Sequence, residues 1–255
     1  MLKYDAYFID LDGTIYAGTE SFPAAKRFME KLKASDSSYL FVTNNSTKTP
    51  EEVAAFLTEQ HGIVTTPEDI YTSAMATADY VAGQGYQRVM MIGEHGLKTA
   101  LENKGLTLVT EGTADVVVVG LDRDINYDKL MHATLAIQNG AAFVATNVDT
   151  NLPNERGLLP GAGTIVAAVK TATQQEPVVV GKPEKIIMQE ALKRTGLKAN
   201  QVVMVGDNYQ TDILAGINAE MDTLLVYTGV STPEQVAEKP VQPTHVVNAL
   251  DEWEF

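Results

Sequence analysis

The amino-acid sequence predicts an α/β protein with doubly wound parallel sheets and helices on both faces. Short runs of Val, Ile and Leu alternate with helical patterns along the chain, as in the run from Val116 to Val119. Near-continuous apolar runs are typical of parallel strands that are covered on both faces. Polar residues directly follow several of these runs, and ligands bind at such strand ends in open α/β sheets. The chemistry is therefore expected at the carboxyl ends of the strands.

The first third of the chain alternates strands with helices. Pro23 suits the first turn of the first helix, because its missing N–H has no helical partner there. The predicted elements are a strand at 6–9, a helix at 24–32, a strand at 39–42 and helices at 49–60 and 73–82.

The alternation then restarts near residue 80, which indicates an inserted unit of about 100 residues, the size of a small domain. Its predicted elements are strands at 88–92, 116–119 and 142–145 and helices at 96–104, 127–139 and 161–173. Further strands are predicted at 178–180, 202–205, 223–227 and 245–247. We therefore predict a core formed by residues 1–79 and 178–255, with an α/β cap formed by 80–177.

Composition excludes several classes of function. The 255 residues include 33 acidic and 19 basic side chains, for a net charge of -14, which disfavours binding to nucleic acid or anionic membranes. The absence of cysteine excludes disulfides, thiolate nucleophiles and cysteine-type zinc sites. No apolar run is long enough to cross a bilayer, and no signal-peptide core is present, so we expect a cytoplasmic protein.

The motif from Asp10 to Thr14 is the first strong chemical signal. Asp10 and Asp12 follow an apolar strand, and alternation along the strand lets both carboxylates face one side. Gly13 then permits a sharp change in chain direction.

Three other motifs also follow predicted strands, and we expect them to lie with the Asp10–Thr14 motif in a single crevice at the strand ends. They are Thr43 with Asn44, Lys182, and Asp207 with Asp212 five positions later. Hydroxyl, amide and ammonium groups bind phosphate oxygens, and the carboxylates are hard oxygen ligands. Four aspartates, one lysine and a phosphate dianion together carry a charge of -5, so the site needs a cation. Oxygen ligands and a phosphate favour Mg²⁺.

The order and spacing of these motifs resemble the phosphatases of the haloacid dehalogenase (HAD) superfamily. The resemblance covers Asp10-x-Asp12-Gly13-Thr14, Thr43, Lys182 and Gly206-Asp207-x4-Asp212, and extends over essentially the whole chain. The position of the insert, with Thr146-Asn147-Val148-Asp149 and Gly161-Ala162-Gly163, resembles the C2-type cap of the NagD-like, para-nitrophenylphosphatase subfamily.

This resemblance implies a role for each matching residue. Asp10 would be the nucleophile that forms an aspartyl-phosphate, and Asp12 the general acid and base. Mg²⁺ would be held by Asp10, the backbone carbonyl of Asp12 and Asp207, with Asp212 in support. Thr43, Asn44 and Lys182 would hold the phosphoryl oxygens. The implied activity is hydrolysis of small phosphorylated metabolites such as sugar phosphates, acid-sugar phosphates or nucleoside monophosphates, with para-nitrophenyl phosphate as an artificial substrate.

Substrate choice is assigned to the insert, because the four motifs contact only phosphate and metal. The polar segment from Thr150 to Arg156 is interpreted either as a specificity loop or as an ordinary connection. The candidate specificity residues are Asn147, Asp149, Asn151, Asn154, Glu155 and Arg156. A homodimer formed through the cap is a further hypothesis.

Two other classes of function use similar residues. A signalling module could accept phosphate on Asp10 and retain it, but Asp12 and the large insert argue against this reading. A non-catalytic phospholigand-binding protein would be expected to lack the nucleophile or a metal-binding acid, and this chain lacks neither.

Overall fold

A computed structural model describes residues 4–154 and 156–255 and confirms the α/β class. Its strands are β1 (Ala6–Ile9), β2 (Tyr16–Ala17), β3 (Glu20–Ser21), β4 (Ser38–Thr43), β5 (Ile70–Thr72), β6 (Arg88–Ile92), β7 (Thr107–Val109), β8 (Val116–Val119), β9 (Ala142–Ala145), β10 (Asn151–Asn154), β11 (Gly157–Pro160), β12 (Val178–Val179), β13 (Val202–Gly206), β14 (Asp222–Val226) and β15 (His245–Val247).

The helices fall between these strands, as the sequence predicts. They are α1 (Pro23–Ala34), α2 (Pro50–His61), α3 (Ser73–Gly83), α4 (His95–Asn103), α5 (Tyr127–Gln138), α6 (Ala162–Thr173), α7 (Lys185–Thr195), α8 (Leu214–Asn218) and α9 (Pro233–Ala237). Short 3₁₀ turns occur at Pro67–Asp69, Ala199–Gln201 and Leu250–Glu252, and a π-helical turn at Tyr209–Ile213. No helix in the described ranges is both long and apolar enough to span a bilayer.

Contacts divide the described chain into two compact units. The first comprises residues 4–43, 50–71 and 182–255, and the second comprises 44–49 and 72–181. The predicted insert of 80–177 lies inside the second unit. The contact division differs from the predicted boundaries because α3 and β12 also belong to the second unit. That the two units are a core and an inserted cap stays a prediction.

The first unit contains a six-stranded sheet in the order β15-β14-β13-β1-β4-β5. Strand β1 runs parallel to both β13 and β4, with Ile9 opposite Val205 and Phe41. The three strands therefore end within two residues of one another, and the residues that follow them share one edge of the sheet. The apolar face of α1, including Phe28 and Leu32, is buried in the hydrophobic cluster that covers this sheet. Truncating such a buried aromatic side chain to alanine costs about 3–5 kcal/mol.

The second unit contains its own parallel sheet in the order β12-β9-β8-β6-β7. Strand β12 pairs with β9, so Val178 and Val179 lie in this sheet and not in the six-stranded one. The sequence pattern cannot reveal this, because an apolar strand fits either sheet equally well. Strands β10 and β11 form an antiparallel hairpin. Part of the segment predicted as a loop at Thr150–Arg156 is therefore a strand.

Candidate active site

The nucleophile candidate, Asp10, follows the end of β1 and is buried. Its backbone N–H donates to the carbonyl of Val205 at 2.9 Å, which continues the parallel ladder by one residue. The chain then leaves the sheet, and the side chain of Asp12 is exposed. One carboxylate is thus inside the protein and the other lies at its surface.

The ammonium group of Lys182 joins the buried acids. Lys182 is only 2% exposed, and its Nζ donates to Asp10 Oδ1 at 2.5 Å and to Asp212 Oδ1 at 2.7 Å. It also donates to the backbone carbonyl of Val42 at 3.0 Å, at the end of β4. Charge-assisted hydrogen bonds of this kind are stronger than neutral ones. Lys182 therefore fixes the positions of two carboxylates and one strand end.

The carboxylate of Asp207 is held by donors from two loops. Thr14 Oγ1 donates to one oxygen at 3.0 Å, and the N–H of Val230 donates to the other at 2.7 Å. Gly13 has a φ of +90°, and a Cβ at this position would lie 2.5 Å from the Asp207 carboxylate. The glycine is therefore required both by its backbone conformation and by this close approach.

Asp212 lies in the π-helical turn Tyr209–Ile213 that follows β13. Its second oxygen accepts from the N–H of Asn208 at 3.1 Å, so the carboxylate is held by the backbone as well as by Lys182. Single π-helical turns are rare and occur frequently at functional sites. The turn directs this carboxylate back toward the strand end.

The buried charges do not balance. Burial and then the charge of Asp212 raise the pKa of Asp10 well above its ordinary value. The same two causes raise the pKa of Asp207 to about 6. Burial alone would lower the pKa of Lys182, but the charges of Asp10 and Asp212 raise it further, so the lysine stays protonated. The negative charge of the three carboxylates is therefore only partly offset by the one ammonium group.

Family models match most of the first unit and part of the second. A model described as haloacid dehalogenase-like hydrolase matches residues 7–107, and one described as HAD-hydrolase-like matches residues 179–253. The acid sugar phosphatase of Staphylococcus aureus (strain USA300) is 50% identical over 253 residues, which cover 99% of this chain and 97% of that protein. The chain belongs to the haloacid dehalogenase-like hydrolases.

Solved structures place it more narrowly within this family. A single-mutant thermostable NPPase from Geobacillus stearothermophilus has a TM-score of 0.93 and 50% identity, with 100% of both chains covered. The glycerol phosphate phosphatase of Mycobacterium tuberculosis, in complex with calcium, has a TM-score of 0.90 and 40% identity, covering 97% of this chain and 74% of that one. This HAD hydrolase is a phosphatase of the NagD-like, p-nitrophenylphosphatase group.

The structure of this HAD hydrolase joins Asp10 and Asp212 through hydrogen bonds from Lys182, and it places a carboxylate oxygen of Asp207 within 4.8 Å of theirs. The route of Lys182 differs from the expectation, because it does not follow a strand of the six-stranded sheet. Strand β12, which precedes it, belongs to the other sheet, and Lys182 lies in the connection between β12 and α7. Thr43 is the buried last residue of β4, directly after the carbonyl that accepts from Lys182.

The other predicted residues lie in the second unit. The amide of Asn44 donates to both carboxylate oxygens of Asp149, at 3.1 and 3.2 Å, and Asn147 Nδ2 donates to the Asn44 carbonyl at 2.9 Å. Asn151 begins β10 and is exposed, as is Arg156. Asn154 pairs with Gly157 in the backbone of the hairpin, and Glu155 lies outside the described residues.

Sequence reasoning missed two groups of residues that hold the acids. The motif analysis gives Thr14 no role of its own, yet the Thr14 hydroxyl donates to Asp207. The segment 228–231 after β14 was not singled out, although the N–H of Val230 donates to Asp207 and Thr228 Oγ1 donates to the carbonyl of Gly13 at 2.7 Å. The detectable signal is a fifth polar segment after an apolar strand, Thr-Gly-Val-Ser.

The acids fit a divalent cation. Asp10, Asp207 and Asp212 each offer a carboxylate oxygen, and these oxygens lie within 4.8 Å of one another. Hard oxygen ligands of this type suit Mg²⁺ and Ca²⁺. A cation among them would offset the charge that now raises the pKa of two of the acids. The donor set and its electrostatics are therefore those of a divalent metal site.

Proposed function

We propose that this phosphatase hydrolyses phosphate monoesters of small metabolites through an aspartyl-phosphate on Asp10, with Mg²⁺ as its metal. The observation that carries the proposal is the contrast between the two aspartates of one motif. Asp10 is buried and fixed by Lys182, whereas Asp12, two residues later, is exposed. A fixed carboxylate suits a nucleophile, and a carboxylate that can meet both an ester oxygen and water suits a general acid and base.

In the first step, a carboxylate oxygen of Asp10 bonds to phosphorus as the bond from phosphorus to the ester oxygen breaks. The ester oxygen leaves with the electron pair and takes a proton from Asp12. In the second step, Asp12 accepts a proton from water while the water oxygen attacks phosphorus, and the carboxylate of Asp10 is released. Asp12 thus returns to its starting state after one turnover.

The remaining residues bind and orient. We assign Lys182, Thr43 and Asn44 to the phosphoryl oxygens, and Asp10, the backbone carbonyl of Asp12 and Asp207 to the metal, with Asp212 in support. When bound, Mg²⁺ supplies positive charge opposite the phosphoryl oxygens. No one residue accounts for the acceleration that a phosphate monoester requires, so nucleophile, acid and positive charge must act together.

The substrate class follows from the relatives. Those that match over nearly the whole chain are called acid sugar phosphatase and NPPase, and a structural neighbour is a glycerol phosphate phosphatase. We propose sugar and acid-sugar phosphates first, with nucleoside monophosphates as a further class and para-nitrophenyl phosphate as an artificial substrate. All of these are monoesters with a small leaving group.

Trapping the intermediate tests this proposal. In an Asp12→Asn variant, para-nitrophenyl phosphate should still transfer its phosphoryl group, because p-nitrophenolate needs no proton to leave. Without the base, phospho-Asp10 should accumulate. We expect a stoichiometric burst of p-nitrophenol and acid-quenched protein heavier by one phosphoryl group, mapped to Asp10.

The Asp10→Asn/Asp12→Asn double variant is the control and should show neither the burst nor the added mass. A burst without phosphoprotein, or a phosphoryl group on another residue, would contradict the assignment of Asp10.

Substrate selection is assigned to the second unit. Replacing Asn151, Asn154, Glu155 or Arg156 with alanine should change relative kcat/KM among sugar phosphates. The loss of one polar contact corresponds to about 1–3 kcal/mol, or roughly 5- to 150-fold. Activity toward para-nitrophenyl phosphate should change less. A substrate panel on each variant measures these ratios, with Gln138→Ala on the exposed end of α5 as a control. Unchanged ratios in all four variants would place selection elsewhere in this unit.

Two expectations about the surroundings of the protein stay predictions. One is the cytoplasmic location inferred from composition, and the other is a homodimer formed through the second unit. Fractionation of cells and sedimentation of the purified protein are the respective measurements.

A further inference from the structure

A buried histidine lies behind the loop that carries Asp12, in the first unit. His61 is the last residue of α2 and is 5% exposed. Its ring stacks on that of Tyr16, with centroids 4.4 Å apart and planes at 10°, and Phe56 packs edge-on at 4.9 Å. The described contacts give its Nδ1 one partner, Ser21 Oγ at 2.8 Å, and give its buried Nε2 none.

The hydrogen bonding indicates which nitrogen carries the proton. A buried N–H without an acceptor costs free energy, whereas an N–H that meets a hydroxyl oxygen does not. The neutral ring therefore carries its proton on Nδ1 and donates it to Ser21 Oγ. Burial lowers the pKa of His61, which is consistent with a neutral ring.

Two of the residues that His61 contacts, Tyr16 and Ser21, are the ends of one small hairpin. Strands β2 and β3 pair Tyr16 with Ser21 and Ala17 with Glu20, so Gly18 and Thr19 form its turn. Gly18 has a φ of +56°, which suits a two-residue hairpin turn. His61 contacts Tyr16 through its ring face and Ser21 through Nδ1, and so ties the hairpin to α2.

The turn of this hairpin holds Asp12. The backbone N–H of Gly18 donates to Asp12 Oδ1 at 3.2 Å. Tyr16 also forms an isolated β-bridge with Asp12, and its carbonyl accepts from the N–H of Gly13 at 2.6 Å. The side chain of Asp12 is exposed. Within the part of the chain that the structure describes, its hydrogen bond comes from the turn of this hairpin.

We propose that His61 is a positioning residue for proton transfer by Asp12. By fixing the hairpin 16–21, His61 keeps the Gly18 N–H on one oxygen of Asp12, which leaves the other oxygen directed at the ester. The proton moves from that carboxyl oxygen to the leaving oxygen as the bond from phosphorus to the ester oxygen breaks and Asp10 bonds to phosphorus. The inference rests on the proposed role of Asp12 and adds a residue that does not touch the substrate.

The dependence on the leaving group distinguishes positioning from general damage to the fold. An alkoxide is a strong base and needs the proton of Asp12, whereas p-nitrophenolate leaves without it. The ratio of kcat/KM for glycerol phosphate to that for para-nitrophenyl phosphate therefore reports proton donation. This ratio depends only on steps up to release of the alcohol.

The experiment compares the variants Ser21→Ala and His61→Phe. Each removes the hydrogen bond between Ser21 and residue 61, and His61→Phe keeps an aromatic ring against Tyr16. General acid catalysis contributes about 10²- to 10⁴-fold, so partial misplacement should lower kcat/KM for glycerol phosphate roughly tenfold or more. The value for para-nitrophenyl phosphate should stay within about threefold. His61→Asn places an amide N–H near the position of Nδ1 and should restore part of the ratio.

Ser37→Ala is the matched control. It removes a serine hydroxyl that donates to the Tyr4 carbonyl at 2.7 Å, before β4 and at the opposite edge of the same sheet. It should leave the ratio unchanged. Equal losses for both substrates in Ser21→Ala and His61→Phe, or no loss in either, would overturn the positioning role.

Asp12→Asn in the same panel separates the two proposals. If Asp12→Asn lowers the ratio and the hairpin variants do not, only the role of His61 fails. If Asp12→Asn itself leaves the ratio unchanged, the assignment of Asp12 as general acid fails, and the positioning role fails with it.

Discussion

Replacing Asp10 with asparagine is expected to reduce phosphatase turnover by at least about a thousandfold, because an amide does not attack phosphorus. Folding should survive, since asparagine is nearly isosteric. Lys182 retains Asp212 and the carbonyl of Val42 as acceptors. The variant also removes a buried carboxylate whose raised pKa shows that its charge is poorly compensated. Thermal unfolding and steady-state hydrolysis of para-nitrophenyl phosphate are the two measurements.

Asp5→Asn is the matched control, because Asp5 lies just before the opposite end of the same strand. Asp5 is exposed, and its carboxylate accepts from Gln201 Nε2 at 2.6 Å. This variant should keep full activity. Retention of a tenth of wild-type turnover by Asp10→Asn, in protein free of contaminating phosphatase, would exclude Asp10 as the nucleophile.

Removal of divalent metal is expected to abolish hydrolysis, and added Mg²⁺ should restore it. The reason is the excess of three buried carboxylates over one ammonium group, to which a phosphate adds further negative charge. Ca²⁺ should restore activity poorly, because its larger and looser coordination shell would misplace the nucleophile. Full activity after exhaustive chelation would contradict the charge argument.

The thermal stabilisation by Mg²⁺ provides a second readout that does not depend on turnover. The raised pKa of Asp207, about 6, means that the metal-free folded protein binds this proton more tightly than the unfolded chain does. Its contribution to metal-free stability is thus present at low pH and is lost as pH rises through about 6. Mg²⁺ must displace the proton below that pH, which weakens its apparent affinity by up to about tenfold per pH unit.

The rise in Tm caused by Mg²⁺ should therefore shrink as pH falls through about 6. Ca²⁺ should show the same trend, since it competes with the same proton. A Tm shift that is equal at pH 5 and pH 8 would contradict competition between the metal and the proton of Asp207.

Most of the secondary structure could be predicted because its signals are local. Helix α1 begins at Pro23, as its fit to a first helical turn indicates, and β8 and β9 have the predicted bounds. The hairpin β10–β11 lies outside the predicted strands, because β11 is exposed along its length and such a strand carries little of the apolar periodicity on which strand prediction depends.

The positions of the acids were also predictable. Asp10 and Asp207 each follow an apolar run, and parallel neighbours align the ends of such runs at one edge of a sheet. The contacts that hold the acids were not predictable, because each joins segments far apart in the chain. Thr14 reaches Asp207 across 193 positions, and Lys182 reaches Asp10 across 172.

The α/β class, the acids at the strand ends and the excess negative charge that predicts a cation can all be read from the amino-acid sequence, because they depend on local periodicity and on formal charge. The sheet that β12 joins, the contact of Lys182 with Asp10 and the packing of His61 near the hairpin that holds Asp12 become evident only in the folded protein. An apolar strand can pair with any partner of similar pattern, so its place is chosen by the packing of the whole unit. His61 illustrates the same limit, since a lone histidine at the end of a helix has no significance until folding stacks it on Tyr16.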